Sequence, residues 1–159
     1  MDRHDMRKRQ LVLMSRTIDV LGNILQGVTQ EEATTLRDGP DGWTILEALG
    51  HLQEFDGYFQ ARAIMIRDQE NPQLPGYDEA RLAQEHAYNA RDLRQTFEEL
   101  RQSRQEFIRF FESLSDEQWE RAGVHPENGY WSMEHALMQP AAHDLTHMAQ
   151  ITRILATRR

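Results

Sequence analysis

The most informative stretch of the sequence is Trp43-Thr44-Ile45-Leu46-Glu47-Ala48-Leu49-Gly50-His51-Leu52, which opens an amphipathic helix and places a histidine within it. Thr44 and Glu47 have the spacing of a capping box, in which each side chain binds a free backbone N–H of the first helical turn. Apolar residues then recur every three or four positions, so the pattern predicts one helix over 44–69. The proline-containing segment 71–76 ends this helix.

Three other segments show the same helical spacing of apolar residues. They predict helices over 5–27, 87–113 and 132–157. Pro140 lies inside the last of these segments and predicts a kink near 136–140, because proline removes one backbone hydrogen bond and crowds the preceding turn.

The four helices together predict an all-α four-helix bundle that forms a single domain over residues 1–159. A short capped turn around Trp119 is the one additional element expected. The connections 70–86 and 114–131 are longer than an up-down-up-down bundle requires, which leaves crossover connections open.

Composition and charge exclude several kinds of ligand and site. The formal net charge is −8 and the basic residues are dispersed, so nucleic acid is not an expected partner. The chain has no cysteine, which excludes disulfides, zinc–thiolate sites and a cysteine nucleophile. No uncharged run approaches the ~18 residues that span a bilayer, and no apolar stretch follows the charged amino terminus. We therefore expect a cytoplasmic protein with no membrane partner.

Three histidines are candidate ligands of one divalent metal ion. His143 and His147 are four residues apart on the last predicted helix and project from the same side. His51 lies at the margin of the apolar face of its helix, so all three side chains can turn toward a shared groove. Three imidazoles leave coordination positions open, as in catalytic sites. The sequence leaves the metal undecided among zinc, nickel, iron, copper and manganese.

Two acidic residues fall on apolar helix faces, where acids are unusual. Asp56 follows His51 on one helix, and Asp144 lies at the centre of the apolar face of the last helix. A buried carboxylate needs a partner, and two interpretations remain open: it accepts the free N–H of a liganding histidine, or it pairs with an arginine across the bundle. Gln150, one turn beyond His147, is a third candidate for contact with a ligand. Arg104 is the one polar break in the apolar stripe of the third long helix.

The remaining histidines lie in loops or project away from the direction of His143, and are not expected in the metal site: His4, His86, His125 and His135. Trp43 and Trp131 precede the two helices that carry the candidate ligands. We expect both to be packing residues at helix starts that are also placed to line a pocket.

In the two histidine-bearing segments the sequence resembles the DinB-like (DinB/YfiT) metal-binding four-helix bundles. The resemblance lies in residues 43–52, followed by the acid Asp56, and in His143-Asp144-Leu145-Thr146-His147-Met148-Ala149-Gln150-Ile151. Helix order and length agree along the whole chain. The resemblance implies the bundle fold and a three-histidine metal site on the three candidate ligands.

The same resemblance implies several functions. Characterised members are metal-dependent transferases and isomerases that use a low-molecular-weight thiol such as mycothiol, bacillithiol or glutathione, and others are described as hydrolases. It also implies a small-molecule substrate and a homodimer. We keep three hypotheses open. The first is an enzyme that activates a thiol or water for transfer to a small electrophile, and the second is a non-catalytic stress-related binding or dimerisation module stabilised by the metal. The third is a metal-free bundle with histidines in similar positions.

Overall fold

The computed structural model describes residues 2–158, most of which are helical. Its helices are α1 (Arg3–Ile24), α2 (Gln30–Thr35), α3 (Ile45–Asp68), α4 (Glu79–Glu85), α5 (Leu93–Glu112), α6 (Asp116–Trp119) and α7 (Met133–Leu155). Two antiparallel strands, β1 (Ala122–His125) and β2 (Gly129–Ser132), form a hairpin directly before α7. None of the described helices is both long enough and apolar enough to cross a membrane.

The predicted start signals of the helices are confirmed. Thr44 and Glu47 form both hydrogen bonds of the capping box that begins α3, and Ser115 forms an equivalent box with Gln118 at α6. The helix predicted from residue 87 begins six residues later as α5, because Asp92 is its N-cap and accepts a hydrogen bond from a backbone N–H. Helix α7 continues through Pro140, and the kink there stays a prediction.

The predicted connection 114–131 contains more than the one capped turn expected in it, because it also includes most of the β1–β2 hairpin. Gly129 begins β2 with φ of +69°, the left-handed region that glycine adopts at low cost. Val124 exchanges backbone hydrogen bonds with residues 72–74, so the hairpin is held against the connection that follows α3. The pairings join residues that are far apart in the sequence. Each strand has only four residues, which is too short for an alternation of apolar and polar residues to identify it as a strand.

The long helices form a four-helix bundle with crossover connections. Four pairs are neighbours in the bundle: α1 with α7, α7 with α3, α3 with α5, and α5 with α1. Consecutive long helices α1 and α3 therefore lie on one diagonal, and α5 and α7 lie on the other. Residues 25–44 connect α1 to α3 and residues 113–132 connect α5 to α7, in each case across a diagonal of the bundle. Residues 69–92 connect the neighbouring helices α3 and α5. The ligand-bearing helices α3 and α7 are placed side by side.

A buried ion-pair network joins all four long helices. Arg104 of α5 is 2% exposed and donates its Nε–H to Asp56 of α3 at 2.7 Å. It donates two further hydrogen bonds to Asp144 of α7, at 2.6 and 2.9 Å. Thr17 of α1 also donates to Asp144, and Met14 of α1 accepts a bond from Arg104 through its carbonyl. The two unusual acids are therefore partners of one arginine, which supports the ion-pair interpretation.

We predict that Arg104→Met lowers the free energy of unfolding by about 3–5 kcal/mol, because it leaves Asp56 and Asp144 buried without their cation. Urea unfolding followed by circular dichroism measures the change. Arg101→Met is the matched control, since Arg101 lies on the same helix in an exposed pair with Glu98 and should matter little. Equal effects of the two substitutions would show that the buried network contributes no special stability.

Candidate metal centre

The three candidate ligands converge on one point between α3 and α7. Ligand nitrogens of His51, His143 and His147 all lie within 4.8 Å of one another. The three ring centroids form a nearly equilateral triangle with sides of 4.7, 4.7 and 4.8 Å. The Nε2 atoms of His51 and His143 are 2.8 Å apart. Two nitrogens bound to one tetrahedral zinc ion lie about 3.3 Å apart, so the cluster needs only small adjustments to hold an ion.

The bundle imposes this convergence. His143 and His147 project from one side of α7 because they are four residues apart in a regular helix. His51 projects from α3, the neighbour of α7, and its side chain is fully buried. The other two histidines are partly exposed, so the cluster is not completely shielded from solvent.

Burial keeps two of the imidazoles neutral. It lowers the pKa of His51 to about 3, with a smaller contribution from nearby His147. It lowers the pKa of His143 to about 2, with further contributions from His147, His51 and Arg104. A neutral imidazole offers a free nitrogen lone pair, which is the form that binds metals. At neutral pH these two side chains are therefore ready to act as ligands.

Gln150 has the contact that the sequence suggested for it. Its Oε1 is 2.8 Å from Nδ1 of His147 and accepts the hydrogen bond when Nδ1 carries the proton. This tautomer leaves the lone pair of Nε2 free, as in metal sites where a second residue orients the ligand. The corresponding Nδ1 of His51 is buried and has no hydrogen-bond partner within residues 2–158. Asp56 and Asp144 bind Arg104, and neither bonds a ligand histidine in the described structure.

Aromatic rings surround the histidines on the inner side. Trp43 stacks against His147 with ring centroids 6.1 Å apart, and Phe55 lies 4.1 Å from His51. Phe59 meets His143 edge to face, with centroids 5.1 Å apart. Trp43 therefore contacts the site, as its position before α3 suggested. The two phenylalanines were not singled out from the sequence, although they lie four and eight residues after His51 on the same helical face.

A cavity of about 500 Å³ lies beside the histidine cluster, with His143 in its wall. Phe55 and Phe59 form part of the same wall. The sequence excluded His125 and His135 from the metal ligands, and both lie outside the three-histidine cluster but line the cavity. Arg62, on the face of α3 that carries the phenylalanines, also lines it and was not singled out from the sequence.

Solved structures with the same fold include two with stated activities. One is YfiT from Bacillus subtilis, described as a probable metal-dependent hydrolase with an unusual four-helix bundle topology. It is 19% identical, with a TM-score of 0.87 over 98% of this chain and 89% of YfiT. The other is the mycothiol-dependent maleylpyruvate isomerase, 14% identical, with a TM-score of 0.76 over 95% of this chain but only 63% of the isomerase.

No curated protein matches the chain significantly. The sequence does match the DinB superfamily over residues 13–151, which covers most of the chain and includes the three histidines. This match agrees with the bundle topology and with the resemblance seen in the two histidine-bearing segments. The chain belongs to the DinB superfamily.

Proposed function

We propose that this protein is a metal-dependent enzyme, with one divalent ion held by His51, His143 and His147. In this proposal it activates a low-molecular-weight thiol or water to attack a small electrophile. The observation that carries the proposal is the convergence of three imidazoles, two of them held neutral by burial, beside a cavity of about 500 Å³. A site that only stabilised the fold would need neither a cavity nor an open side.

The donor set fits a catalytic ion better than a structural one. Within residues 2–158 the cluster contains three ligand side chains and no fourth histidine or acid. Structural zinc sites are usually closed by four protein ligands, whereas catalytic sites use three and leave one position for substrate or water. The cavity adjoins His143, so a small molecule in it would lie beside the histidine cluster.

A divalent ion at this site would supply Lewis acidity, which lowers the pKa of a coordinated thiol or water toward neutrality. The chain's own residues orient a ligand and limit the access of water. Gln150 orients His147, and Trp43, Phe55 and Phe59 exclude bulk water from the inner side of the cluster. Because the chain has no cysteine, any thiol must be a separate molecule. The two similar structures are described as a probable metal-dependent hydrolase and a mycothiol-dependent isomerase, so descriptions of proteins with this fold include both a hydrolytic and a thiol-dependent activity.

The proposal also includes a homodimer acting on a small molecule in the cytoplasm. Support for the dimer comes from apolar side chains left exposed on two neighbouring helices. On α1 these are Met6, Val12, Leu13 and Val20, of which Met6, Leu13 and Val20 are seven residues apart, and on α7 they are Met138 and Leu145. Such a stripe is typical of a surface that packs against another helix.

We predict that His143→Ala and His147→Ala each reduce bound metal from about one ion per chain to a small fraction. Loss of one of three ligands removes a large part of the binding energy. Elemental analysis of untagged protein measures the content. His135→Gln is the control on the same helix, because glutamine can keep the capping contact with Ser132. Full metal content in all three variants would refute the ligand assignment.

The metal-free protein should lose stability as the pH falls from 7 to 5. In the unfolded chain a histidine has a pKa near 6.5, whereas the folded pKa is about 3 for His51 and about 2 for His143. Below pH 6.5 the unfolded chain therefore binds more protons. The free energy of unfolding then falls by up to about 1.4 kcal/mol per pH unit for each of the two histidines.

Urea unfolding at pH 7, 6 and 5, in the presence of a chelator, measures this slope. The double variant His51→Gln/His143→Gln is the comparison, and its stability should depend less steeply on pH. Identical slopes for the two proteins would mean that these histidines are not buried in the neutral form.

For the chemistry, we predict that metal-loaded protein consumes a thiol together with an electrophile, or hydrolyses an activated ester, at least ten times faster than the apo-protein. A fair panel pairs mycothiol, bacillithiol, glutathione and coenzyme A with a chloroarene and an epoxide, and adds a nitrophenyl ester for the water reaction. Each is run with zinc, nickel, manganese and iron. If every combination stays at the apo-protein rate while metal is bound, the enzyme hypothesis fails and the metal-stabilised module takes its place.

A further inference from the structure

The cavity beside His143 contains a buried cation without an acidic partner. Arg62 of α3 is 5% exposed, and its Nε–H donates to the carbonyl of Pro75 at 3.0 Å. Its guanidinium also lies over the ring of Tyr77, 4.9 Å from the centroid. No carboxylate of the described residues is within ion-pair distance of Arg62, and its Nη1 has no acceptor there. Because buried arginines are normally paired, this group has unused capacity to bind an anion.

A second unused donor in the cavity wall is the indole of Trp131. Its Nε1–H is buried and has no hydrogen-bond partner within residues 2–158. Buried indole N–H groups usually find an acceptor, since the unpaired group loses its bond to water. Because this nitrogen is shielded from solvent, a ligand oxygen in the cavity reaches it only if the indole turns toward the cavity.

A third donor is His125, whose tautomer is set by its own turn. Its Nδ1 accepts the backbone N–H groups of Glu127 and Asn128, at 3.2 and 3.4 Å. Burial and the nearby charge of Arg62 both lower the pKa of His125, so the ring is neutral at pH 7. The single proton is therefore on Nε2, which makes no hydrogen bond in the described structure. The ring packs against Trp131, with centroids 4.8 Å apart.

We propose that this cavity binds the anionic oxygen group of the substrate, a carboxylate or a phosphate, through Arg62, His125 and Trp131. Three N–H donors without acceptors in one cavity form a site for an anionic acceptor, and the arginine supplies the charge. The exposed carboxylates of Glu79 and Glu127 also border the cavity, and neither forms an ion pair with Arg62. Burial lowers the pKa of Arg62, although the charge of Glu127 raises it through space.

The position of this anion subsite relative to the histidines defines the substrate further, and this step rests on the proposed function. Phe59 contacts His143, and Arg62 lies three residues further along α3, a rise of about 4.5 Å. The anionic group is thus held within the length of one small molecule from the reacting centre. Phe55 and Phe59 line the space near His143, which favours a flat apolar body such as an aryl ring.

The test is calorimetric titration of the chain with benzoate, phenyl phosphate and benzyl alcohol, which share an aryl ring and differ in charge. It is run on apo-protein in chelator and on zinc-loaded protein. We expect at least one of the two anions to bind apo-protein about tenfold or more tightly than the alcohol does. The comparison of the two anions distinguishes a carboxylate site from a phosphate site.

Two variants locate the binding. Arg62→Met should weaken anion binding about tenfold or more and leave the alcohol within about threefold, because it removes one charged hydrogen-bond donor. Trp131→Phe keeps a ring but removes the N–H, and should weaken anion binding severalfold. Arg121→Met is the matched control, since Arg121 also donates to backbone carbonyls but does not line the cavity. Circular dichroism identifies any variant that fails to fold, and the variant that folds then decides the outcome.

The proposal is overturned if the alcohol binds as tightly as the anions, if neither anion binds, or if both variants keep full anion affinity. Anion binding that occurs only with zinc present also overturns it, because the anion would then be bound by the ion. The calorimetric measurement of anion binding does not depend on whether the protein catalyses a reaction. If anions bind to the apo-protein but no catalysis is found, the anion subsite is supported and the enzyme proposal is rejected. If catalysis is found without selectivity for anions, the enzyme proposal is supported and the anion subsite is rejected.

Discussion

The bundle depends on the interaction of Arg104 with two carboxylates. The planar guanidinium has donors in fixed directions, so it sets where Asp56 of α3 and Asp144 of α7 lie relative to α5. Asp144 is adjacent in sequence to His143, and Asp56 is five residues from His51. The rotation of both ligand-bearing helices is therefore tied to one side chain. Contacts from Arg104 and Asp144 to α1 bring the fourth helix into the same network.

This network also explains how three imidazoles come to lie together without an acid among them. Asp56 and Asp144 are both hydrogen-bonded to Arg104, so neither carboxylate is available to the histidine cluster. Burial favours the neutral form of His51 and His143, and the arginine adds a smaller effect on His143 in the same direction. Two neutral imidazoles and a third histidine, together in an aromatic pocket, bring three nitrogen donors to one place before any cation binds.

Much of the bundle and of the cluster follows from local pattern, and the rest from contacts between distant residues. The i, i+4 spacing of His143 and His147 and the position of His51 are properties of single helices, so they can be predicted. Arg104 is visible as a polar break, but nothing in the sequence says which acids it binds. His125 and Arg62 meet in one cavity only because backbone bonds hold the β1–β2 hairpin near the end of α3. The diagonal order of the helices is likewise absent from any local pattern.

The cavity has two walls of different origin. The histidine cluster and the aromatic wall belong to α3 and α7, whose rotation is fixed by the buried network, whereas His125 and Trp131 come from a short hairpin near the surface. Loops and hairpins tolerate exchange far better than packed helices do. The histidine cluster and the hairpin wall of the cavity can therefore change in sequence independently of each other. The same separation means that exchange of residues 122–132 would change one wall of the cavity and leave the three histidines in place.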